Sequence, residues 1–180
     1  AGSGLPGTEV DPAILDRISG LGSGTRTLAV YEQRWAAPAG PLALYLHGVA
    51  DPGNIGTILR SALAFGASCV VLGPGCADAF GPKAVRASMG AIFSVPLARA
   101  DGPDGLPGRS IALAARAGAP LSGPLAGDVT LLVGAERTGL PAELLAAADE
   151  VREIAIHSES LNAAMAATVA LYELTRVQHG

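Results

Sequence analysis

Three short segments hold the residues of this 180-residue chain whose types and spacing suit chemistry. The first is DPGNIGTILR, residues 51–60, where a turn sequence precedes a largely apolar helical pattern that carries Arg60. Ionised side chains are seldom buried without a partner, so Arg60 is expected to pair with an anion, either a protein carboxylate or a ligand phosphate. Asn54 has the side chain of a helix N-cap, and Gly56 allows another element to approach the first turn closely.

The second segment is LLVGAERTGLP, residues 131–141, in which an apolar run ends at Gly134 and Glu136 follows two positions later. An acidic side chain directly after a buried strand can take one of three roles. Glu136 could pair with Arg60, hold a ligand hydroxyl, or be solvated in the loop. The sequence alone leaves these three alternatives open.

The third segment is EIAIHSESLNAAMAATVALYELTR, residues 153–176, where a strand pattern leads through a short polar loop into a long helix. Ser160 is a natural N-cap, so the helix is predicted to begin at Ser160 or Leu161. Asn162 then falls inside the first turn, where free backbone N–H groups and the helix dipole favour polar ligands.

Apolar runs of strand length alternate with helical patterns from residue 42 onward. The predicted strands are residues 42–49, 69–73, 92–97, 110–115, 129–134 and 152–156. The predicted helices are residues 54–65, 81–89, 141–148 and 160–177. This pattern is typical of an α/β fold with a mostly parallel sheet and helices on both faces. Ligands bind beyond the carboxyl ends of such strands, so loops 47–54, 134–140 and 156–160 are predicted to form the site.

The first 40 residues lack this regularity and are interpreted as a linker or a remnant of another domain. One short helix is predicted after Asp11, with Pro12 at its first position. A turn and a short strand are predicted over GSGTRTLAVYEQ, residues 22–33. The regular part, residues 41–180, is predicted to be a separate domain.

Composition narrows the class of protein. The chain is 49% hydrophobic and 16% charged, which disfavours long disorder, and it has neither a membrane-length apolar run nor a signal-peptide pattern. A cytoplasmic protein is therefore expected. The formal net charge of −4 disfavours strong nonspecific binding of nucleic acid. Two cysteines without ligand spacing predict no metal site, and the absence of GxGxxG after the first strand disfavours an ordinary Rossmann cofactor site.

In this order and at these distances, the three segments resemble the motifs of the SpoU/TrmH family of RNA ribose 2′-O-methyltransferases, in the SPOUT superfamily. The matching stretches are DPGNIGTILRSALAFGA, LLVGAERTGLP and SLNAAMAATVALYE, and GCADAFGPKAVRASMGAIFSVPL between them is also similar. The resemblance covers roughly residues 42–177. Many relatives carry a separate N-terminal RNA-binding domain, so residues 1–40 are predicted to be a linker or a remnant of one.

The resemblance implies a domain over residues 41–180 whose C-terminal segment is threaded into a trefoil knot, which is otherwise very rare. It implies a homodimer that binds S-adenosylmethionine in the knot and methylates a ribose 2′-hydroxyl of structured RNA, ribosomal or transfer RNA, without a metal. The residues that match the family's functional positions are Asn54, Arg60, Glu136, Ser160 and Asn162. Those expected around the cofactor are Gly134, Ala135, Glu136, Ile154, Ile156 and Leu161.

For methyl transfer, the resemblance gives Arg60 the role of activating the hydroxyl. A guanidinium hardly ever deprotonates, so Arg60 is expected to stabilise the developing alkoxide and hold the neighbouring phosphate, and to pair with Glu136 between turnovers. The third motif departs from the family pattern at Ala155, where proline is expected, and in its shorter loop. Two alternatives stay open: a non-catalytic SPOUT-like dimer that binds RNA or a protein partner, and an unrelated α/β nucleotide-binding enzyme.

Overall fold

The structure is a computed structural model that describes residues 6–20, 24–124, 126–157 and 160–176. The chain divides into two compact units, Ala1–Gln33 and Arg34–Gly180. In the first unit, helix α1 spans Pro12–Ser19, and the Asp11 side chain caps it by accepting a hydrogen bond from the Ala13 N–H. This confirms the predicted short helix and its cap.

The second unit is built on a parallel sheet. Within the described residues the sheet has seven strands, in the spatial order β3-β2-β1-β6-β4-β7-β5. The strands are β1 Leu42–Leu46, β2 Cys69–Leu72, β3 Leu97–Arg99, β4 Arg109–Leu113, β5 Ala119–Pro120, β6 Val129–Val133 and β7 Glu150–Glu153. Every neighbouring pair is parallel, which confirms the predicted sheet class. The central strand β6 is buried along its whole length, because both of its faces are covered.

Helices cover both faces of this sheet. They are α2 Pro52–Ala64, α3 Pro82–Ser88, α4 Ala142–Ala147 and α5 Ala163–Thr175, with a 3-10 turn at Ala91–Phe93. The larger core cluster joins α2, α3 and α5 to one face, and the smaller one joins α4 to the other. Helices α2 and α3 pack so closely that a Cβ atom on Gly56 would lie 2.4 Å from the Ala84 carbonyl oxygen. The close approach expected at Gly56 is thus made by α3.

Several predicted boundaries are wrong. The strand expected over residues 92–97 begins only at Leu97. The N–H groups of Ser94 and Val95 both bond back to the Ala91 carbonyl, at 3.0 and 2.9 Å, so these residues stay in a turn instead of joining the sheet. The strand expected over residues 152–156 is Glu150–Glu153, so Ile154 and Ile156 lie in the loop that follows it.

Two further differences concern the ends of the chain. The helix predicted over residues 160–177 is Ala163–Thr175, and residue 177 lies outside the described residues. The short strand predicted within residues 22–33 is absent from the described part of that range, residues 24–33. Val30 in this segment is 94% exposed, so no partner strand or core supports an extended pairing there. The interpretation of residues 1–40 as a linker or domain remnant stays a prediction.

Candidate active site

Helix α2 begins with a cap that the sequence did not predict. The N-cap is Asp51, whose carboxylate accepts hydrogen bonds from the Gly53 and Asn54 N–H groups. Asn54 therefore lies inside the first turn, and its predicted role as the cap is wrong. The Lys83 ammonium lies 2.9 Å from the Asp51 carboxylate, and together with the Gly53 N–H it holds the pKa of Asp51 below its ordinary value.

Because Asp51 caps the helix, the Asn54 side chain is available for contacts outside it. Its Nδ2 donates a hydrogen bond to Oε1 of Glu136, in the loop after β6. Its Oδ1 accepts a hydrogen bond of 3.1 Å from Nδ2 of Asn162, at the start of α5. Asn54 thus joins the three segments of the sequence that were predicted to form the site.

Asn162 is the N-cap of α5. Its Oδ1 accepts hydrogen bonds from the N–H groups of Ala164 and Met165, at 2.9 and 3.3 Å. The predicted cap, Ser160, is wrong by two residues, and Ser160 is exposed in the segment that precedes the helix. Serine and asparagine are both good N-cap residues. The helix is capped by Asn162, the one of the two whose side chain also bonds Asn54.

The loop after β6 is tight because of a glycine at its start. A Cβ atom on Gly134 would lie 2.2 Å from the carbonyl carbon of Gly139 and 2.3 Å from the backbone nitrogen of Leu140. The Gly139 N–H closes the loop by donating to the Ala135 carbonyl at 2.9 Å, and Gly139 itself has a φ of +67°. This closure turns residues 135–137 into a narrow wall at the carboxyl edge of the sheet.

That wall separates two cavities, which we name by the elements beside them. The α2 cavity, of about 630 Å³, is open, and Asp51, Asn54, Thr57 and Asn162 line it together with the wall. The β6 cavity, of about 620 Å³, is more enclosed and lies on the other side. Ala135, Glu136 and Arg137 line both cavities.

The β6 cavity is largely apolar at its sides and polar at the wall. All the residues that the resemblance placed around a cofactor line it: Gly134, Ala135, Glu136, Ile154, Ile156 and Leu161. Ser160 lines it as well. The cavity is also lined by Leu113, the last residue of β4, by residues of the loop that follows it, and by Arg137. Sequence reasoning missed these, although β4 is a predicted strand whose carboxyl end meets the same edge of the sheet.

Arg60 lies apart from both cavities. Its side chain is on the exposed face of α2, and it lines neither cavity. In residues 6–20, 24–124, 126–157 and 160–176 it makes no ion pair, so its predicted pairing with Glu136 is wrong. Glu136 is bonded by Asn54 instead. Arg60 is not buried as expected. It lies between Thr57 and Leu63 on the exposed side of the helix, where these residues follow each other at intervals of three.

Two general features of the described residues bear on the class of site. They contain no group of three or more His, Cys, Asp and Glu side chains placed to hold a metal ion. None of the helices in the described ranges combines the length and the hydropathy that a bilayer crossing requires.

The sequence and the fold were compared with known proteins. The family model described as SpoU rRNA Methylase family matches residues 41–172. The chain is 38% identical over 140 residues to the 23S rRNA (guanosine(2553)-2′-O)-methyltransferase RlmP of Bacillus subtilis. This match covers 73% of the chain and 56% of RlmP, so the chain spans little more than half the length of that relative.

Solved structures give the same assignment. An AdoMet-bound rRNA methyltransferase from Sinorhizobium meliloti superposes with a TM-score of 0.83 at 31% identity, covering 91% of this chain and 69% of that one. The SpoU methyltransferase AviRb from Streptomyces viridochromogenes, in complex with AdoMet, superposes with a TM-score of 0.67 at 32% identity, over 74% of this chain and 56% of AviRb. These similarities exclude an unrelated α/β nucleotide-binding enzyme. The chain belongs to the SpoU rRNA methylase family.

Proposed function

We propose that this chain transfers a methyl group from S-adenosylmethionine to a ribose 2′-hydroxyl of structured RNA, either ribosomal or transfer RNA. The observation that carries the proposal is the wall shared by the two cavities, on which Glu136 is bonded by Asn54. A transfer between two substrates requires two binding sites that meet where the group is exchanged. Relatives that are named as RNA methyltransferases support the same activity.

The β6 cavity suits S-adenosylmethionine by its size and by the chemistry of its lining. Leu113, Ile154, Ile156 and Leu161 offer an apolar surface for an adenine ring, and the carboxylate of Glu136 offers an anion for a cationic group. When bound, this cofactor supplies an electrophilic methyl group on a sulfonium sulfur. The trefoil knot stays a prediction, and in the proposal it holds the loops around this cavity together.

The α2 cavity is the proposed site of the acceptor nucleotide. The carboxylate of Glu136 accepts a hydrogen bond from the ribose hydroxyl and takes its proton as the oxygen bonds the methyl group and the bond from methyl to sulfur breaks, while Asn54 keeps that carboxylate in place. Asn162 supports Asn54 from the start of α5, and Ser160 takes part from the β6 cavity. Arg60 retains its proposed role of stabilising the developing alkoxide and holding the neighbouring phosphate.

The exposed position of Arg60 fits this role if the chain acts as a homodimer. Helix α2 exposes Leu63 one turn beyond Arg60, and α5, which packs against α2, exposes Met165, Val169 and Tyr172. These apolar side chains form a face that a second copy of the chain would cover. In such a dimer Arg60 lies at the interface, and its proposed role is exerted on the nucleotide bound in the α2 cavity of the partner subunit.

The first experiment is a calorimetric titration of the protein with S-adenosylmethionine, with NADH and ATP as controls. We expect saturable binding of S-adenosylmethionine alone, with one site per subunit. Transfer of labelled methyl groups to ribosomal and transfer RNA is then measured with the wild type and with Arg60→Ala, which should abolish transfer and leave cofactor affinity largely intact. Binding of the cofactor without transfer to any RNA would favour the non-catalytic dimer, and an active Arg60→Ala enzyme would refute the role of Arg60.

The homodimer has its own test in analytical ultracentrifugation at micromolar concentration. Val169→Glu places a charge in the middle of the apolar face and should convert the dimer to a monomer. The matched control is Ala146→Glu, on the exposed side of α4 on the opposite face of the sheet. A wild type that sediments as a monomer contradicts the dimer.

A further inference from the structure

An arginine and a tryptophan form an exposed stack at the edge of the sheet, away from both cavities. Arg99, the last residue of β3, lies over the indole ring of Trp35, with its guanidinium carbon 4.1 Å from the ring centroid. The ring of Phe80 meets Trp35 edge-on, with the centroids 5.2 Å apart. The backbone beside Trp35 is fixed to the same strand, because the Ala36 N–H donates to the Leu97 carbonyl at 2.6 Å. We call this pair the Trp35–Arg99 stack.

The guanidinium of this stack is held in place, yet its hydrogen-bonding groups are unused by the described part of the protein. In the described ranges Arg99 makes no ion pair and no side-chain hydrogen bond, and its side chain is exposed. A guanidinium carries five N–H donors in a planar fork that matches a phosphate. Contact with the indole ring restricts its motion, so less conformational entropy is lost when it binds an anion.

The stack lies on the same edge of the sheet as the α2 cavity. Strands β1, β2 and β3 are consecutive neighbours in the sheet. The carboxyl end of β1 leads to the cavity, that of β2 leads to loop 73–80, and that of β3 is Arg99 itself. Two strand spacings, about 10 Å, separate the ends of β1 and β3. The intervening loop is bonded to the loop beside the cavity, since the Gly48 N–H donates to the Pro74 carbonyl and the Ala77 N–H to the Val49 carbonyl.

Helix α3 continues this connection with basic side chains. Lys83 and Arg86 are exposed on α3, and Lys83 is bonded to Asp51, which lines the α2 cavity. Phe80, which contacts Trp35, lies just before the same helix. The chain as a whole is acidic, with a formal net charge of −4, so a polyanion gains no general attraction and must be bound by local groups such as these.

From these observations we infer that the Trp35–Arg99 stack binds RNA close to the nucleotide in the α2 cavity. Arg99 holds a backbone phosphate through its N–H fork, and a base of the same strand stacks on the exposed surface of the pair. This inference rests on the proposed function, because it assigns to the stack a part of the same RNA substrate. It adds a recognition site on β3 that none of the three motifs contains.

The experiment uses the fact that Trp35 is the single tryptophan of the sequence. Tryptophan fluorescence therefore reports on the stack alone. We expect saturable quenching when the full chain is titrated with single-stranded oligouridylate at low salt. Arg99→Gln should weaken binding about tenfold, and it should reduce the slope of log K against log salt by about 0.7, the value for one phosphate contact of a single strand.

The matched control is Arg109→Gln, which removes the same charge from the opposite, amino edge of the sheet. This variant should keep the wild-type slope. Arg99→Lys should recover part of the affinity, because it restores the charge without the planar fork. Arg99 is exposed, so Arg99→Gln should keep the wild-type thermal midpoint, which separates a loss of binding from unfolding.

Three outcomes contradict the inference: no binding of oligouridylate at low salt, binding that leaves Trp35 fluorescence unchanged, or equal salt slopes for Arg99→Gln and Arg109→Gln. The proposed function is judged separately, by binding of S-adenosylmethionine and methyl transfer in the same wild-type preparation. Methyl transfer with equal slopes for the two variants would refute the stack and leave the enzyme. A wild type that quenches with RNA but neither binds the cofactor nor transfers methyl groups would refute the enzyme and leave the stack.

Discussion

Asn54 and Asn162 lie at the starts of two helices that pack against each other, and their side chains make different bonds. In α5 the amide oxygen of Asn162 caps the helix, so only its Nδ2 group bonds another element. In α2 the cap is Asp51, so both ends of the Asn54 amide bond outside the helix, to Glu136 and to Asn162. The same residue type therefore serves mainly stability in one helix and mainly the site in the other.

This difference depends on a division of roles within the first turn of α2. The first N–H groups of a helix have no partner within the helix. The carboxylate of Asp51 accepts hydrogen bonds from two of them, so no side chain of the site has to do so. Asn54 can then hold the Glu136 carboxylate at the wall between the two cavities. A site residue inside the first turn is thus freed by a cap placed three residues earlier.

The largest effect is expected for Asn54→Asp. The new carboxylate faces that of Glu136 and removes the Nδ2 donor, so two like charges replace a hydrogen bond. We expect methyl transfer to fall by about a hundredfold or more, while the lost hydrogen bond and the repulsion also lower the free energy of unfolding. The measurement is single-turnover transfer of labelled methyl groups to RNA, with urea unfolding of the same preparation. A variant that retains the wild-type rate would show that Asn54 does not position Glu136.

A smaller effect on transfer, with a clear effect on stability, is expected for Asn162→Ala. Loss of the cap should lower the free energy of unfolding by about 1 kcal/mol, and loss of the bond to Asn54 should slow transfer by about tenfold. Asn162→Asp is the matched control, because it restores a capping oxygen but not the Nδ2 donor. It should recover the stability and leave transfer slow. Recovery of both would mean that the donor of Asn162 is irrelevant to the site.

Much of the fold was predictable because buried strands can be recognised in the sequence as continuous apolar runs. β1, β2 and β6 are covered on both faces, so they are continuous apolar runs. The carboxyl ends of β1, β6 and β7 lead to the three predicted loops. The helix starts were less predictable, since Asp51, Asn54, Ser160 and Asn162 are all acceptable caps by residue type. The choice among them follows contacts distant in sequence, with Lys83 for Asp51 and with Glu136 for Asn54.

Arg60 shows a second limit of the sequence. The exposed side of α2 carries Leu63 and Ala64 beside Arg60, so the helix looks apolar all round and its solvent face cannot be recognised from the pattern. For the same reason the exposed apolar face of α5 cannot be recognised from the sequence, because the exposed Met165 and the buried Leu171 are both apolar. In the sequence, apolar side chains that a partner subunit would cover therefore cannot be distinguished from apolar side chains that the core covers.

The cap of α2 should also respond to pH more visibly than that of α5, whose cap does not titrate. The pKa of Asp51 is lowered by Lys83 and by backbone donors, so its stabilising effect is fully present above the ordinary carboxyl value of 3.8 and is lost as the pH falls through the lower folded-state value. Asp51→Asn keeps a capping oxygen and should flatten the decline of stability at acidic pH. The measurement is the urea midpoint as a function of pH.

Asp149→Asn is the control for this pH effect. The Ser110 N–H and hydroxyl lower the pKa of Asp149, so this carboxylate should contribute to acid sensitivity with the same sign. It lies at the amino edge of the sheet, and the loss of its charge should leave methyl transfer unchanged. An acid profile that neither variant alters would show that these two carboxylates do not determine the pH dependence of stability.

The smallest effect is expected at the contact that holds the two helices together below the asparagines. The hydroxyls of Ser61 and Thr168 lie 2.6 Å apart between α2 and α5, and Thr168 also donates to the Ala164 carbonyl at 2.7 Å. Thr168→Val leaves the buried Ser61 hydroxyl without this partner and should cost about 1 kcal/mol, whereas Ser61→Ala should cost less because Thr168 keeps its bond within α5.

The double variant decides whether this contact also aligns Asn54 with Asn162. Removing both hydroxyls leaves no unpaired group, so its free energy of unfolding should decrease by less than the sum of the two single changes. If the helices are aligned through this contact, transfer in the double variant slows by about twofold to threefold although stability is largely recovered. An unchanged rate would assign the alignment to the asparagine bond and the surrounding core alone, and additive stability changes would show that the two hydroxyls are not coupled.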